Sequence, residues 1–207
     1  MLSVSILGIK DNVLDNLKKL DSLGIDYFHI DIMDGKFVSN KTWKYRDIKK
    51  MFSNIKGRRD VHLMVNNVGS YIRKFSKLNP DIITFHYEAT SKYFKYINYL
   101  KKRGIKVGIA IKPNTQVSIL KDLLGYIDLV LVMSVEPGKG GQKYIDNSTN
   151  KINELKLLRD ENSYNYLIEV DGGINNLTKN DASNADILVV GSYITNNDYE
   201  EKISEFK

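Results

Sequence analysis

His29, Asp31 and Met33 stand two residues apart in the stretch Tyr27-Phe28-His29-Ile30-Asp31-Ile32-Met33-Asp34-Gly35. Side chains alternate faces along an extended chain. An imidazole, a carboxylate and a thioether therefore share one face, and Ile30 and Ile32 share the other. An unpaired buried carboxylate is costly, so this face calls for a cation, a ligand or water. Asp34-Gly35 then turns the chain. A hairpin end with a solvated His and Asp is the plainer alternative. The spacing recurs at His62 and Met64, and the third and last histidine of the chain, His86, closes another apolar run. All three imidazoles at the ends of extended apolar runs argue for chemistry.

Asp171 follows a further run, Leu167 to Val170. His29, Asp31, His62 and Asp171 would make a mixed nitrogen and oxygen site. Such a set suits Zn²⁺, Fe²⁺, Mn²⁺ or Co²⁺ without singling one out. For His62 alone a satisfied core histidine is the simpler account; Met64, mirroring Met33, tips the balance. Asp171 leads into Gly172-Gly173, and Gly191-Ser192 ends a later apolar run. Glycines let backbone N–H groups approach an anion closely, with help from helix N-termini. Turns need glycine too, so neither pair decides the matter alone. A third glycine-rich stretch, Glu136-Pro137-Gly138-Lys139-Gly140-Gly141-Gln142, suggests a mobile lid or clamp over a site; a plain linker is the alternative.

These residues need elements that aim them at one place. Short apolar runs near residues 3–7, 27–31, 59–63, 82–86, 106–111, 127–133, 167–170 and 186–190 read as strands. Apolar residues at helical spacing fall between them: Val13, Leu14, Leu17, Leu20 and Leu23; residues 43–55; Val68 to Leu78; Tyr93 to Leu100; Val117, Leu120 and Leu124; Ile152, Leu155 and Leu158; and Tyr199 to Phe206. A short polar helix is expected near residues 178–183. Eight alternating units argue for a parallel sheet with helices outside. In this length they fit an α/β fold, a single-domain (β/α)₈ TIM barrel over residues 1–207. A doubly wound open sheet is the rival, weakened because no dinucleotide-binding glycine pattern follows the first strand. A barrel gathers its chemistry at the C-terminal ends of the strands, with phosphate bound after strands seven and eight. Those ends are where His29, Asp31, His62, His86, Asp171 and both glycine pairs fall.

Composition limits the function classes. With 42% hydrophobic and 27% charged residues over 207 positions, the chain reads as an ordinary globular protein. No apolar run has transmembrane length and no N-terminal targeting pattern stands out, so no membrane partner is expected. Cysteine is absent, which fits a reducing, cytoplasmic setting. The net charge of +6 raises the question of nucleic acid. The basic residues are scattered, with short clusters at residues 56–59 and 101–103 where helices should end, and no stacking aromatics accompany them. Nucleic acid is therefore not the expected partner. A modest positive field would draw in an anionic small substrate.

Taken together, the motifs resemble the ribulose-phosphate 3-epimerase family over essentially the whole chain. They are Ser5-Ile6-Leu7, His29-x-Asp31-x-Met33-Asp34-Gly35, Asp60-Val61-His62-Leu63-Met64, Val132-Met133-Ser134-Val135-Glu136-Pro137-Gly138, Gly140-Gly141-Gln142, Glu169-Val170-Asp171-Gly172-Gly173-Ile174 and Gly191-Ser192. The resemblance implies a metal-dependent barrel enzyme of the pentose phosphate pathway that inverts C3 of D-ribulose 5-phosphate to give D-xylulose 5-phosphate. It implies His29, Asp31, His62 and Asp171 as ligands of one divalent metal ion, with Asp31 and Asp171 also as the acid–base pair. Ser5 and His62 would contact substrate, and Met33, Met64 and Met133 would line its reacting edge. Gly138, Gly140, Gly141, Gly172, Gly173, Gly191 and Ser192 complete the expected substrate site, and a homo-oligomer is expected. Val4, Ser39, Lys41-Thr42-Trp43, Lys139 and Tyr193 depart from the family pattern without removing a catalytic group.

The residue types suit that chemistry. Epimerisation beside a ketone removes a proton, holds an enediolate and reprotonates the opposite face. A metal stabilises the charge as a Lewis acid, and one carboxylate per face serves as base and then acid. Methionines pack beside the enediolate without competing for its protons. Three alternatives stand beside this one. A D-allulose-6-phosphate 3-epimerase would share Tyr27-Phe28-His29. A keto-gulonate phosphate decarboxylase would carry an Asp-x-Lys-x-x-Asp motif, which is absent. A non-catalytic sugar-phosphate-binding barrel would have little use for both Asp31 and Asp171.

Overall fold

The computed structural model describes residues 1–207. Eight strands run β1 (Leu2–Ser5), β2 (Tyr27–Met33), β3 (Arg59–Met64), β4 (Ile82–His86), β5 (Lys106–Ile111), β6 (Leu129–Met133), β7 (Leu167–Asp171) and β8 (Ile187–Val190). Each pairs in parallel with the next, and β8 pairs with β1, closing a barrel. Closure leaves no free sheet edge. The helices are α1 (Val13–Ser22), α2 (Tyr45–Met51), α3 (Val68–Phe75), α4 (Tyr93–Lys101), α5 (Asn147–Glu161), α6 (Ser192–Thr195) and α7 (Tyr199–Ser204). The expected (β/α)₈ barrel is the fold observed. No helix is long and apolar enough to cross a membrane.

Strand alternation divides the molecule into two apolar regions and one polar one. Outward residues such as Ile30, Ile32, Val61, Leu63, Ile83 and Phe85 join Leu17, Leu20, Ile72, Ile97 and Leu155 of the helices in one large core. Fully burying each such side chain contributes about 1.5–3 kcal/mol. Inside the barrel, Tyr27, Ile82, Ala110, Leu129, Leu131 and Ile187 pack together. The same interior buries Ser3, His29, Asp31, Asp60, His62, Thr84 and Glu169.

Register fixes which inward residues meet. Ser5 lies opposite His29 across β1 and β2, His29 opposite Asp60 and Asp31 opposite His62 across β2 and β3, and Met133 opposite Asp171 across β6 and β7. A shift by one residue would turn all of these away from the axis.

Several connections differ from the helical spacing. The helix expected over residues 43–55 is confined to Tyr45–Met51, because Lys41 to Lys44 complete the loop closing β2. Val117, Leu120 and Leu124 are buried but sit on two single 3₁₀ turns, Val117–Leu120 and Leu124–Tyr126. The loop after β5 consumes residues 112–116, leaving too little chain before β6 for a full helix. The polar helix expected at residues 178–183 is one 3₁₀ turn, Thr178–Asn180. Helix α6 begins at Ser192, directly after Gly191. Its four residues carry too few apolar positions to declare a period.

Candidate active site

At the C-terminal end of the barrel four donor groups from three strands converge. One ligand atom each from His29, Asp31, His62 and Asp171 lie within 4.8 Å of one another. Nε2 of His29 is 3.3 Å from Asp31 Oδ1 and 3.8 Å from Asp171 Oδ2. Nδ1 of His62 is 3.2 Å from the same Asp31 oxygen and 3.9 Å from the same Asp171 oxygen. Both histidines and Asp31 are buried, while the Asp171 side chain is 18% exposed and opens toward solvent.

The tautomer of His29 follows from its other nitrogen. Nδ1 lies 2.5 Å from Asp60 Oδ2. A carboxylate accepts, so Nδ1–H donates, and Nε2 is the nitrogen left to bind a metal ion in place of a proton. That Nε2 has no hydrogen-bond partner although fully buried. A buried, unpartnered nitrogen aimed at two carboxylate oxygens is the signature of a cation site. The donor set thus fits a divalent metal ion without singling one out.

The two carboxylates have different electrostatics. Burial works against ionisation of Asp31, yet His29 and His62 hold its carboxyl well below the usual range. Burial pushes Asp171 up to about 6, against the pull of His29 and helped by the nearby charge of Asp31. His29 is raised well above its usual value, because Asp60 and Asp31 outweigh the burial that opposes its charge. Glu169, beneath, is pushed well above the carboxylate range by burial and by Asp60 beside it.

Above the cluster lies a cavity of about 370 Å³. Asp31, Asp171, Ser5, Met33, Met64 and Met133 line it, as do Gly138, Gly140, Gly141, Gly172, Gly173, Gly191 and Ser192. His29 and His62 do not reach its wall; they lie fully buried below. The Ser5 hydroxyl donates to Asp31 Oδ2 at 2.8 Å, holding that carboxylate while facing the cavity. Two glycines here answer to packing as well as to any anion. A Cβ on Gly173 (φ +66°) would lie 2.3 Å from the backbone nitrogen of Tyr144, and one on Gly172 (φ +122°) would strike Val135. At Gly191 a Cβ would meet only Ser5, at 3.5 Å. Over the mouth the loop after β2 touches the loop after β6: Asn40 Nδ2 donates to the carbonyl of Gly138 at 2.7 Å.

Three supporting roles escape the sequence reading, although Asp60, Thr42 and Ser134 all stand in stretches quoted above. Asp60 fixes His29. Thr42 donates from Oγ1 to the carbonyl of Asp31 at 2.6 Å and accepts from the N–H of Met33, clamping the end of β2. Ser134 donates to the carbonyls of Asp171 and Gly172, doing the same for β7. Asp60 shares the inward face of β3 with His62, which alternation alone would reveal; nothing local marks Thr42 or Ser134.

A closed parallel barrel with charged groups and glycine turns gathered at one end of its strands belongs to the enzymes that carry their chemistry on that face. The chain matches the Ribulose-phosphate 3 epimerase family over residues 1–195 and belongs to that family. It is 39% identical to the ribulose-phosphate 3-epimerase of Buchnera aphidicola subsp. Baizongia pistaciae, covering 100% of this chain and 92% of that one. It is 41% identical to the enzyme of that name from Methanocaldococcus jannaschii, covering 89% and 79%. Relatives of this kind make it an epimerase, an enzyme of the isomerase class. Among solved structures, Mycobacterium tuberculosis tryptophan synthase superposes with a TM-score of 0.71 at 13% identity, covering 99% of this chain and 90% of that one, a likeness of fold alone.

Proposed function

We propose that the chain interconverts D-ribulose 5-phosphate and D-xylulose 5-phosphate, taking the proton from C3 of the ketose and returning one to the opposite face. Inversion calls for an acceptor on one face and a donor on the other. The observation that carries the reading is the pair Asp31 and Asp171, set on β2 and β7 at the floor of one cavity. Asp31 is held ionised by two imidazoles, while Asp171, pushed to about 6, is able to carry a proton near neutrality. Two carboxylates whose environments drive their proton affinities apart supply the base and the acid. In the reverse direction they exchange roles.

His29, Asp31, His62 and Asp171 would hold one divalent ion, Zn²⁺, Fe²⁺, Mn²⁺ or Co²⁺, which when bound supplies Lewis-acid stabilisation of developing negative charge. Ser5 keeps Asp31 oriented and offers its oxygen to substrate. Met33, Met64 and Met133 exclude water from the reacting carbons with side chains that neither give nor take protons. The backbone N–H groups of Gly172, Gly173, Gly191 and Ser192 would receive the phosphate, and the loop bearing Gly138, Gly140 and Gly141 would close over it. In this reading residues 1–207 work as one catalytic domain in a cytoplasmic homo-oligomer of the pentose phosphate pathway.

The purified protein should be assayed with both pentulose and hexulose 5- and 6-phosphates in deuterated water. Epimerisation of D-ribulose 5-phosphate with deuterium appearing at C3 is expected. A higher kcat/KM for D-allulose 6-phosphate would move the substrate to the six-carbon series. Turnover of neither would leave a sugar-phosphate-binding barrel.

A further inference from the structure

The third histidine takes no part in the four-donor cluster, yet it touches it. His86 ends β4, is fully buried, and its Nε2 lies 2.9 Å from Nε2 of His62. Two ring nitrogens approach so closely only when one carries a proton and the other a lone pair. Which is which is decided two residues later. Glu88 accepts on Oε1 from the N–H of Lys112 at 2.8 Å and from the hydroxyl of Thr115 at 2.5 Å. Its other oxygen, Oε2, is 3.3 Å from His86 Nδ1. A carboxylate can only accept, so Nδ1 of His86 is the N–H. In the neutral ring Nε2 is then the acceptor, and His62 must donate to it from its own Nε2. Nδ1 of His62 is the nitrogen turned to the cluster, 3.2 Å from Asp31 Oδ1; without a metal it donates to that carboxylate, and because Nε2 keeps the proton it gives to His86, Nδ1 is the nitrogen at which a metal ion would displace a proton. Phe37 lies over His86 with ring centroids 4.7 Å apart, shielding the relay.

We propose that His86 and Glu88 are positioning residues that lock His62 in the tautomer able to bind metal, through the chain Glu88···H–Nδ1 His86 Nε2···H–Nε2 His62. The inference rests on the reading of His62 as a metal ligand. Histidine ligands generally have their second nitrogen fixed by a carboxylate or carbonyl. Here a second imidazole is interposed, and the carboxylate at its far end also grips the loop after β5. Ligand geometry is thereby tied to that loop.

The tautomers are measurable without turnover. Long-range ¹H–¹⁵N correlation spectra of the ¹⁵N-histidine-labelled, Zn²⁺-loaded protein should show protonated Nε2 and unprotonated Nδ1 on His62, and the reverse on His86. Glu88→Gln should reverse both rings. Its carbonyl must still face the two donors of the β5 loop, so its NH₂ turns to His86 and forces Nδ1 to accept. Zn²⁺ affinity, read by competition with a chelator, should then fall about 10–100-fold. In the presence of Glu88, His86→Gln should largely retain wild-type affinity, since its carbonyl accepts from His62 and its amide donates to Glu88; His86→Leu should not. A merely packing role would not separate Gln from Leu in this way. A protonated Nδ1 on His62 of the Zn²⁺-loaded wild type would overturn the proposal, as would Glu88→Gln with wild-type tautomers and affinity. Wild-type protein that binds no Zn²⁺ yet keeps protons on Nε2 of His62 and Nδ1 of His86 would instead sink the metal site and leave the relay standing.

Discussion

His29 turns Nε2 toward the cluster because its Nδ1 is committed to Asp60, 2.5 Å away. Replacing Asp60 by Ala frees that nitrogen, and the ring loses both its tautomeric preference and its orientation. Metal affinity should fall about 10–100-fold, measured by chelator competition, with circular dichroism unchanged. Unaltered affinity would mean that packing alone aims the imidazole. Removing a ligand outright should do more: His62→Ala should lower metal content and turnover together, and normal stoichiometry with normal turnover would remove His62 from the set. Asp171→Asn tests the proton exchange. Metal-loaded variant should lose epimerisation by at least about 10²-fold while Asp31 continues to exchange the C3 proton of one epimer with solvent. Epimerisation at the wild-type rate would end the two-base reading.

At the scale of elements, the loop after β5 is held from two sides. Lys151 of α5, 6% exposed, donates from Nζ to the carbonyls of Lys112, Pro113 and Thr115. Glu88 accepts from the same loop. Lys151→Met keeps the volume but strips three carbonyls of their donor, and should lower unfolding free energy by about 2–4 kcal/mol in urea titration. Glu88 adds a pH dependence. Burial opposes its charge, but His86, Thr115 and the N–H of Lys112 hold its pKa down to about 2, against 4.5 for a free glutamate. The folded state therefore binds fewer protons than the unfolded one between those values. Its contribution is complete above about 4.5 and is lost as pH falls toward 2. The stability difference between wild type and Glu88→Ala should narrow between pH 5 and pH 3, as urea midpoints would report. None of this was legible in the sequence, because Lys151 lies inside a mostly polar helix and Glu88 in a turn, with their loop partners more than twenty residues away along the chain. The strands were legible, since each is an apolar run, and alternation alone put His29 and Asp31 on one face. At residues 117–126 buried residues at helical spacing sit on 3₁₀ turns instead, because that spacing looks the same on either; the polar stretch at 178–180 buries nothing and forms one 3₁₀ turn.

At the scale of the whole molecule, positive charge offsets the several carboxylates of the site toward an anionic substrate. The net charge is +6, and two of the lysines, Lys10 and Lys139, line the cavity mouth on opposite loops. Both are exposed and neither is engaged in an ion pair. Lys139, one of the departures from the family pattern, sets a cation on the glycine-rich loop that lines the cavity. Over a low-dielectric cavity such charges raise the local concentration of a doubly charged phosphate ester and speed its capture. The effect should be strongest at about 0.01 M salt, where the screening length is about 30 Å, and small at about 1 M, where it is about 3 Å. Wild-type kcat/KM should therefore fall with ionic strength, mainly through KM. Lys139→Ala and Lys10→Ala should each flatten that slope, and the double variant should nearly abolish it, with kcat little changed. Parallel salt dependences in wild type and double variant would show that these lysines only solvate the rim and that the wider charge distribution does the steering.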